Sequence, residues 1–557
     1  MSSKKEVHGR VLAERTQLEE AQAAGLGRTL ATYTRLSGPG WLQSAITLGG
    51  GSLAGSLYLG VIGGYEFLWL QPLMMILGIV MLSAIAYVTL STGQRPFQAM
   101  NEHVSPVLGW GWLLAAMMAN LVWAMPQFSL GTAALQQNLF PQYLSGDSAK
   151  IICVVGLFLL AAVVVWFYDS PGWGVQIFEI SLKAMVGLVV LSFFGVVVAM
   201  SWKGELDWSA IAKGFVPDIS LLWRPVTGLS GFIEESNAPD YWTATILRAQ
   251  RERMIAAAAT AVGINMTFLL PYSMLRKGWD RAFRGLAAFD LSTGLFIPFL
   301  LATSCVVIAA ASQFHAEIDE KIISQPAVEI TGSYRDNLER RVKADLSVDD
   351  STSLSESGMN ERIDALSSAD RKLAYTLIKR DAFDLANALE NLFGKGGLTQ
   401  KIFGIGVLGM AISTIVILMV INGFCVCEMT HREGDRVVQR LGAILPGIVG
   451  GLGFLALWGD EQAKFWLAVP TSNFGMVLLP IAYIAFFFMM NSPSLLGDAM
   501  PRGGVRIIVN VVMLVAIAAA SVGAGWSVWA NVGWIGVILA AGFIVAGILN
   551  ASLKSSA

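Results

Sequence analysis

The sequence predicts an all-α polytopic membrane protein: about twelve transmembrane helices, two inverted five-helix repeats (5+5), and a soluble helical insertion. Three observations carry this. Long apolar runs recur from residue 38 to residue 550, each about as long as an α-helix needs to be to cross a bilayer. Of 557 residues, 55% are hydrophobic and only 14% are charged, against about 25% charged in soluble proteins, and mean hydropathy is +0.60. Two of the runs are interrupted at matching places, the first by Gly49, Gly50, Gly51 and Ser52, the sixth by Gly263 and Asn265.

The elements follow in order. Residues 1–36 are polar and carry Lys4, Lys5, Arg10, Arg15, Arg28 and Arg35; they read as a cytoplasmic N-terminal segment, not as a cleavable signal peptide. Residues 37–312 hold spans 1–7, near 38–60, 65–90, 107–140, 150–168, 175–201, 253–275 and 288–312. The third is long enough to tilt or to extend beyond the bilayer. Residues 313–396 are charged and poor in aromatics, with amphipathic helical patterning as in Arg371–Leu392. They read as a soluble extracytoplasmic insertion with a structural role, or else one in gating or partner binding. Residues 397–552 hold spans 8–12, near 398–425, 440–457, 470–490, 504–524 and 529–550, and 553–557 is a tail.

Lysine and arginine in short loops set the orientation. With the N-terminus inside, the inner loops hold Arg95, then Arg276, Lys277, Arg281 and Arg284, then Arg432, Arg436 and Arg440, then Arg502 and Arg506. The loop after span 9 has only Lys464, beside Asp460 and Glu461. The long stretch 202–252 dissents, placing Arg248, Arg251 and Arg253 outside. A plasma membrane of the bacterial inner-membrane type, with the lipid bilayer as partner, is the expected location. A net charge of −2 gives no sign of nucleic-acid binding.

The interruptions point to function. A triple glycine is costly in a helix, and broken backbone within lipid is tolerated only where it is buried or lines a cavity. Gly49–Ser52 therefore marks a solute site near the bilayer midplane. Span 6 runs Thr260-Ala-Val-Gly-Ile-Asn-Met266 with Pro271 one turn on. Paired interruptions in two halves are the signature of inverted-repeat transporters; spans 1–5 and 6–10 form the repeats and spans 11–12 an appendage. Taken alone, Gly263 reads as a close-packing glycine.

Other side chains add less. Glu179 and Lys183, at i and i+4 in span 5, read as a structural pair. Gln127, beside Pro126 in span 3, is a candidate pathway residue. Glu234 and Glu235, with Asp240, precede span 6 and form a candidate acidic entrance, or a solvated acidic loop. Cys153, Cys305, Cys425 and Cys427 read as small buried hydrophobes, and His8, His103, His315 and His431 fall outside the apolar cores. No cofactor motif, metal-ligand cluster or nucleophile–base set is present, so neither a cofactor nor an enzyme is expected.

At this point the residues suggest a family. Gly38-Pro39-Gly40-Trp41-Leu42, then the break, then Gly64-Tyr65 and Leu68-Trp69 resemble the opening of the natural resistance-associated macrophage protein (Nramp) metal transporters. Gly131-Thr132-Ala133 and Leu139-Phe140 resemble that family's third span, Ser413-Thr414 its eighth, and Leu479-Pro480 with Gly497 its tenth. The resemblance covers roughly residues 36–525 without the insertion. It implies the inverted-repeat amino acid/polyamine/cation transporter fold and secondary active transport, usually of Mn2+ or Fe2+ with protons; one branch of relatives resembles magnesium transporters. It adds Ser413 and Thr414 as candidate pathway residues.

The departures limit what is carried over. The family's Asp-Pro-Gly-Asn motif falls on Gly49, Gly50, Gly51 and Ser52, its Met-Pro-His motif on Gly263, Ile264 and Asn265, its third-span acids on Met125 and Phe128, and a tenth-span glutamine on Leu478. No metal-binding side chain is assigned with the carboxylate and thioether gone. A dehydrated divalent ion needs compensating charge or many oxygen ligands. The expectation is therefore a hydrated cation such as Mg2+ in preference to Mn2+ or Fe2+. The alternatives are a small neutral, zwitterionic or organic-acid solute, for which the glycines leave room, and a non-transporting receptor.

Overall fold

Backbone N–H and C=O groups find no water in a bilayer, so apolar runs cross it as helices that satisfy their own hydrogen bonds. A computed structural model describes residues 2–168, 173–346, 355–380, 382–393, 398–457 and 468–556. Among them, eleven helices are long and apolar enough to span, or twelve when the bent pair Pro39–Thr47 and Gly50–Phe67 counts as one. No strand occurs among the described residues. The protein is an all-helical integral membrane protein. The loop expected to hold Asp460, Glu461 and Lys464 lies outside the described residues.

Burial sorts the spans. Of the apolar windows of spans 6 and 8, 89% is buried, and 78% of span 7, whereas only 28% of span 11 and 17% of span 12 is covered. Spans 11 and 12 are the least covered, with spans 4 and 5 next at 33% each. The inner helices approach closely through small residues. A Cβ on Gly450 of span 9 would stand 2.6 Å from Ala124 Cβ of span 3, and one on Gly131 3.2 Å from Ala411 of span 8.

Several local expectations change. Span 6 begins at Pro239, not near 253, so Arg248, Arg251 and Arg253 belong to the helix and not to a loop. Arg251 Nε donates to Leu222 O at 2.6 Å. Span 11 runs unbroken from Gly503 to Val532. It ends at Gly533, whose φ of 77° suits glycine, so the turn lies beyond the expected 525–528. Within the insertion, the expected helix over 371–392 is two helices, Ser368–Thr376 and Ala382–Phe393. Glu179 and Lys183 do not pair with each other. Glu179 binds Lys277 at 3.0 Å and Lys183 Nζ donates to Ser37 O at 2.9 Å, because the ends of spans 1, 5 and 6 converge there.

The insertion is fastened to span 6 by one buried carboxylate. Asp370 accepts from Trp242 Nε1 at 2.6 Å, from Asn237 N at 3.2 Å and from Arg341 Nε at 3.2 Å. Burial by itself would raise the Asp370 pKa, but these donors and the Ser367 hydroxyl outweigh it and hold the carboxyl below its ordinary value. A depressed folded-state pKa adds stability above the unfolded value, and that stability is lost as pH falls through the folded value. The attachment should therefore persist between about pH 5 and 8 and weaken only in stronger acid. Asp370→Ala leaves the buried Arg341 guanidinium without this partner, at a cost of roughly 3 kcal/mol. Amide exchange across 332–376 should then accelerate about a hundredfold; unchanged exchange would show that the carboxylate does not hold the insertion.

Candidate functional site at the broken helices

Span 1 stops at Thr47, restarts at Gly50 and bends by 56° between. Span 6 stops at Ala261 and restarts at Ile264. The first N–H groups and last C=O groups of each half-helix lose their intrahelical partners, and in lipid they need others. The structure supplies them from side chains. Thr47 Oγ1 donates to Ala261 O at 2.8 Å and to Thr260 O at 3.0 Å, so the two breaks are joined directly. Ser52 Oγ donates back across its own break to Thr47 O and to Gly49 O, the latter at 3.0 Å. Ser413 Oγ donates to Ala45 O at 3.0 Å, with Thr414 Oγ1 at 3.4 Å from the same oxygen. On the donor side, Gly50 N–H gives its hydrogen bond to Gln127 Oε1 at 2.9 Å.

Each sequence candidate can now be placed. Gly49, Gly50, Gly51, Ser52, Asn265, Gln127, Ser413 and Thr414 are all buried around the two breaks, and Gly263 alone among residues 47–52 and 260–265 is partly exposed. The space over the triple glycine is filled. A Cβ on Gly49 would fall on the Thr414 hydroxyl, one on Gly50 would meet Leu130 at 3.0 Å, and one on Gly51 would enter the Trp123 ring at 2.6 Å. The cavity beside Ser52 measures only about 10 Å3, room for about one water. The glycines thus admit neighbouring side chains in this conformation, and a solute needs the half-helices to move. Gly263 is not a packing glycine: a Cβ there would meet only Asn265.

Two side chains escaped the sequence reading. Met266 places a thioether at the span 6 break, Sδ standing 3.4 Å from Gly263 N; a soft sulfur thus stands three positions beyond Gly263, on which the family motif's methionine falls. Asp290, at the start of span 7, is buried and accepts from Gly40 N at 2.7 Å, Gly38 N at 3.1 Å and the Ser37 hydroxyl. Its carboxylate meets the positive end of the first half-helix, where anions are stabilised. An acid inside an apolar run was the signal available. Glu234 and Glu235 are exposed on the short helix Thr227–Glu235, which turns Leu229 and Ile233 inward, and they line none of the described cavities. Among the described residues, no group of three or more His, Cys, Asp or Glu is arranged to hold a metal ion.

The Nramp model (natural resistance-associated macrophage protein-like) matches residues 40–329 and 372–527. The chain belongs to the Nramp family. It is 26% identical over 165 residues to the metal transporter Nramp2 of Oryza sativa subsp. japonica, covering 28% of this chain and 29% of that one. It is 25% identical over 189 residues to the metal transporter Nramp6.2 of Populus trichocarpa, covering 33% and 31%. The matches thus span under a third of these relatives. Among solved structures, a mutant of the manganese transporter of Eremococcus coleocola aligns with a TM-score of 0.60 at 13% identity, covering 94% of both chains. The same transporter bound to an aromatic bis-isothiourea compound aligns with a TM-score of 0.56 at 14% identity, covering 95% and 94%. These structures establish the Nramp transporter fold for this chain.

Gln127→Leu removes the acceptor from a buried Gly50 N–H, which costs about 1–3 kcal/mol, and should lower the thermal midpoint in detergent. Gln127→Glu keeps an acceptor there and should retain more of the stability than Gln127→Leu. Equal midpoints for all three proteins would show that the amide does not cap the half-helix.

Proposed function

We propose that this Nramp-family protein is a secondary active transporter that passes a divalent cation between the broken centres of spans 1 and 6, with most of the ion's water shell retained. Mg2+ fits this better than Mn2+ or Fe2+. One observation carries the reading: the joined breaks offer carbonyls, hydroxyls and amides, with no carboxylate at the position of the family motif. Mg2+ dehydrates reluctantly and keeps several waters, and such waters can hydrogen-bond to dipoles that are too weak to strip them. Opening would release the Thr47, Ser52 and Ser413 hydroxyls from the carbonyls they now cover, exposing those oxygens to the hydrated ion. From span 3, Trp123, Gln127 and Leu130 face the triple glycine; none carries a charge at neutral pH, which argues against proton movement through that span. We further place the N-terminus and the arginine-rich short loops on the cytoplasmic face of a plasma membrane, from the charge bias of those loops.

A second reading has its own support. Gln127 Nε2 is buried without an acceptor beside the start of the second half-helix of span 1, and helix N-termini favour anionic groups. A small zwitterion or organic acid would satisfy both.

Calorimetric titration of the purified protein with Mg2+, Mn2+ and a panel of amino and organic acids separates the two. Mg2+ binding at least as tight as Mn2+ binding, weakened severalfold by Ser52→Ala, is the expected result. Tighter Mn2+ binding that Met266→Leu abolishes would overturn the hydrated-ion reading in favour of a soft-ligand site. Silence toward both metals, with heat from an amino or organic acid that Gln127→Leu abolishes and Arg340→Gln/Lys379→Gln leaves unchanged, would establish the second reading.

A further inference from the structure

A cavity of about 640 Å3 lies between span 6 and the insertion, and its size is that of a small-molecule site. One wall is a single face of span 6, with Arg248, Glu252 and Arg253; the facing wall is the insertion, with Arg340 and Lys379. Asn337, Asn473 and Asn531 also line it, among apolar and aromatic side chains such as Tyr241, Trp242 and Leu377. Arg253 forms the floor. Its side chain is only 11% exposed, and its guanidinium lies 4.8 Å from the centre of the Tyr58 ring. Arg253 and Ala261 are eight positions apart, about 12 Å along the helix, so the cavity stands on the approach to the breaks.

Its charge is the reverse of a cation entrance. Among the described residues that line it, four basic side chains, Arg248, Arg253, Arg340 and Lys379, stand against one carboxylate, Glu252. Glu252 is itself shared, 3.2 Å from Arg248 and 4.0 Å from Arg253. A cleft of one sign with low-dielectric walls concentrates ions of the opposite sign, and guanidinium forks match carboxylate and phosphate oxygens in pairs.

We propose that this cavity binds a small oxyanion bearing two or more negative charges, a phosphate or a polycarboxylate, held between Arg248 and Arg253 of span 6 and Arg340 and Lys379 of the insertion. Such a ligand bridges the seam that Asp370 already fastens and ties the insertion to the half of span 6 that leads to the break. It also neutralises a wall that would otherwise repel a divalent cation approaching from this side. The site does not depend on which solute crosses at the breaks.

The test is calorimetric titration of the full-length protein with citrate and with inorganic phosphate, both free of divalent metal, at low and at raised ionic strength. Wild type is compared with the double variant Arg340→Gln/Lys379→Gln, both of whose positions lie on the insertion, and with Ser52→Ala. Binding of at least one oxyanion, weakened about tenfold or more in the double variant, weakened by salt and unchanged in Ser52→Ala, is the expected result. Citrate alone assigns the site to polycarboxylates and phosphate alone to phosphates. No binding of either, or equal binding by the double variant with its fold intact by circular dichroism, overturns the proposal. Mg2+ titrations decide the transport reading separately, because they probe Ser52 and not Arg340.

Discussion

Everything at the centre of this protein follows from one constraint: a helix broken inside a membrane must find new partners for the backbone groups it frees. Four hydroxyls and two amides do this, the second amide being Asn265, whose Oδ1 accepts from Met266 N at 2.9 Å. Thr47 reaches the end of the first half of span 6, Ser52 folds back over its own break, Ser413 and Thr414 reach from span 8, and Gln127 reaches from span 3. Each is uncharged, so the centre is held together by dipoles alone. That choice removes the large desolvation cost of a buried carboxylate and with it the charge that would bind a bare metal ion.

Charge is instead placed toward the two ends. At one end, Asp290 seats the start of span 1, Lys277 pairs with Glu179, and Lys183 bonds Ser37 O. These contacts fasten the N-terminal end of span 1 to spans 5, 6 and 7. At the other end the insertion lies over the first half of span 6, with Asp370 as its buried fastening and a basic cavity beside it. Rearrangement at the breaks must therefore occur between two charged clamps, one on each side of an uncharged centre.

The triple glycine shows why composition underdetermines a site. Glycine at 49–51 gives backbone freedom and also empties three side-chain positions. The emptied volume is taken by Thr414, Leu130 and Trp123, so the same residues that allow the break also let spans 3 and 8 close over it. Met266 makes the complementary point: three residues beyond the place of the motif's methionine, it returns a sulfur to the span 6 break.

By itself the sequence determined the helical membrane fold, most of the spans, the two breaks and the family, because hydropathy over some twenty residues and the helix cost of glycine are local properties. It did not show that Glu179 chooses Lys277 over Lys183, that Asp290 caps span 1, that Gln127 holds the Gly50 N–H, that span 6 starts at Pro239, or that a basic wall and not Glu234 and Glu235 lines the cavity. Those outcomes were decided by tertiary structure. A buried polar group takes whichever partner the packing brings within about 3 Å, and that partner is often more than a hundred residues away.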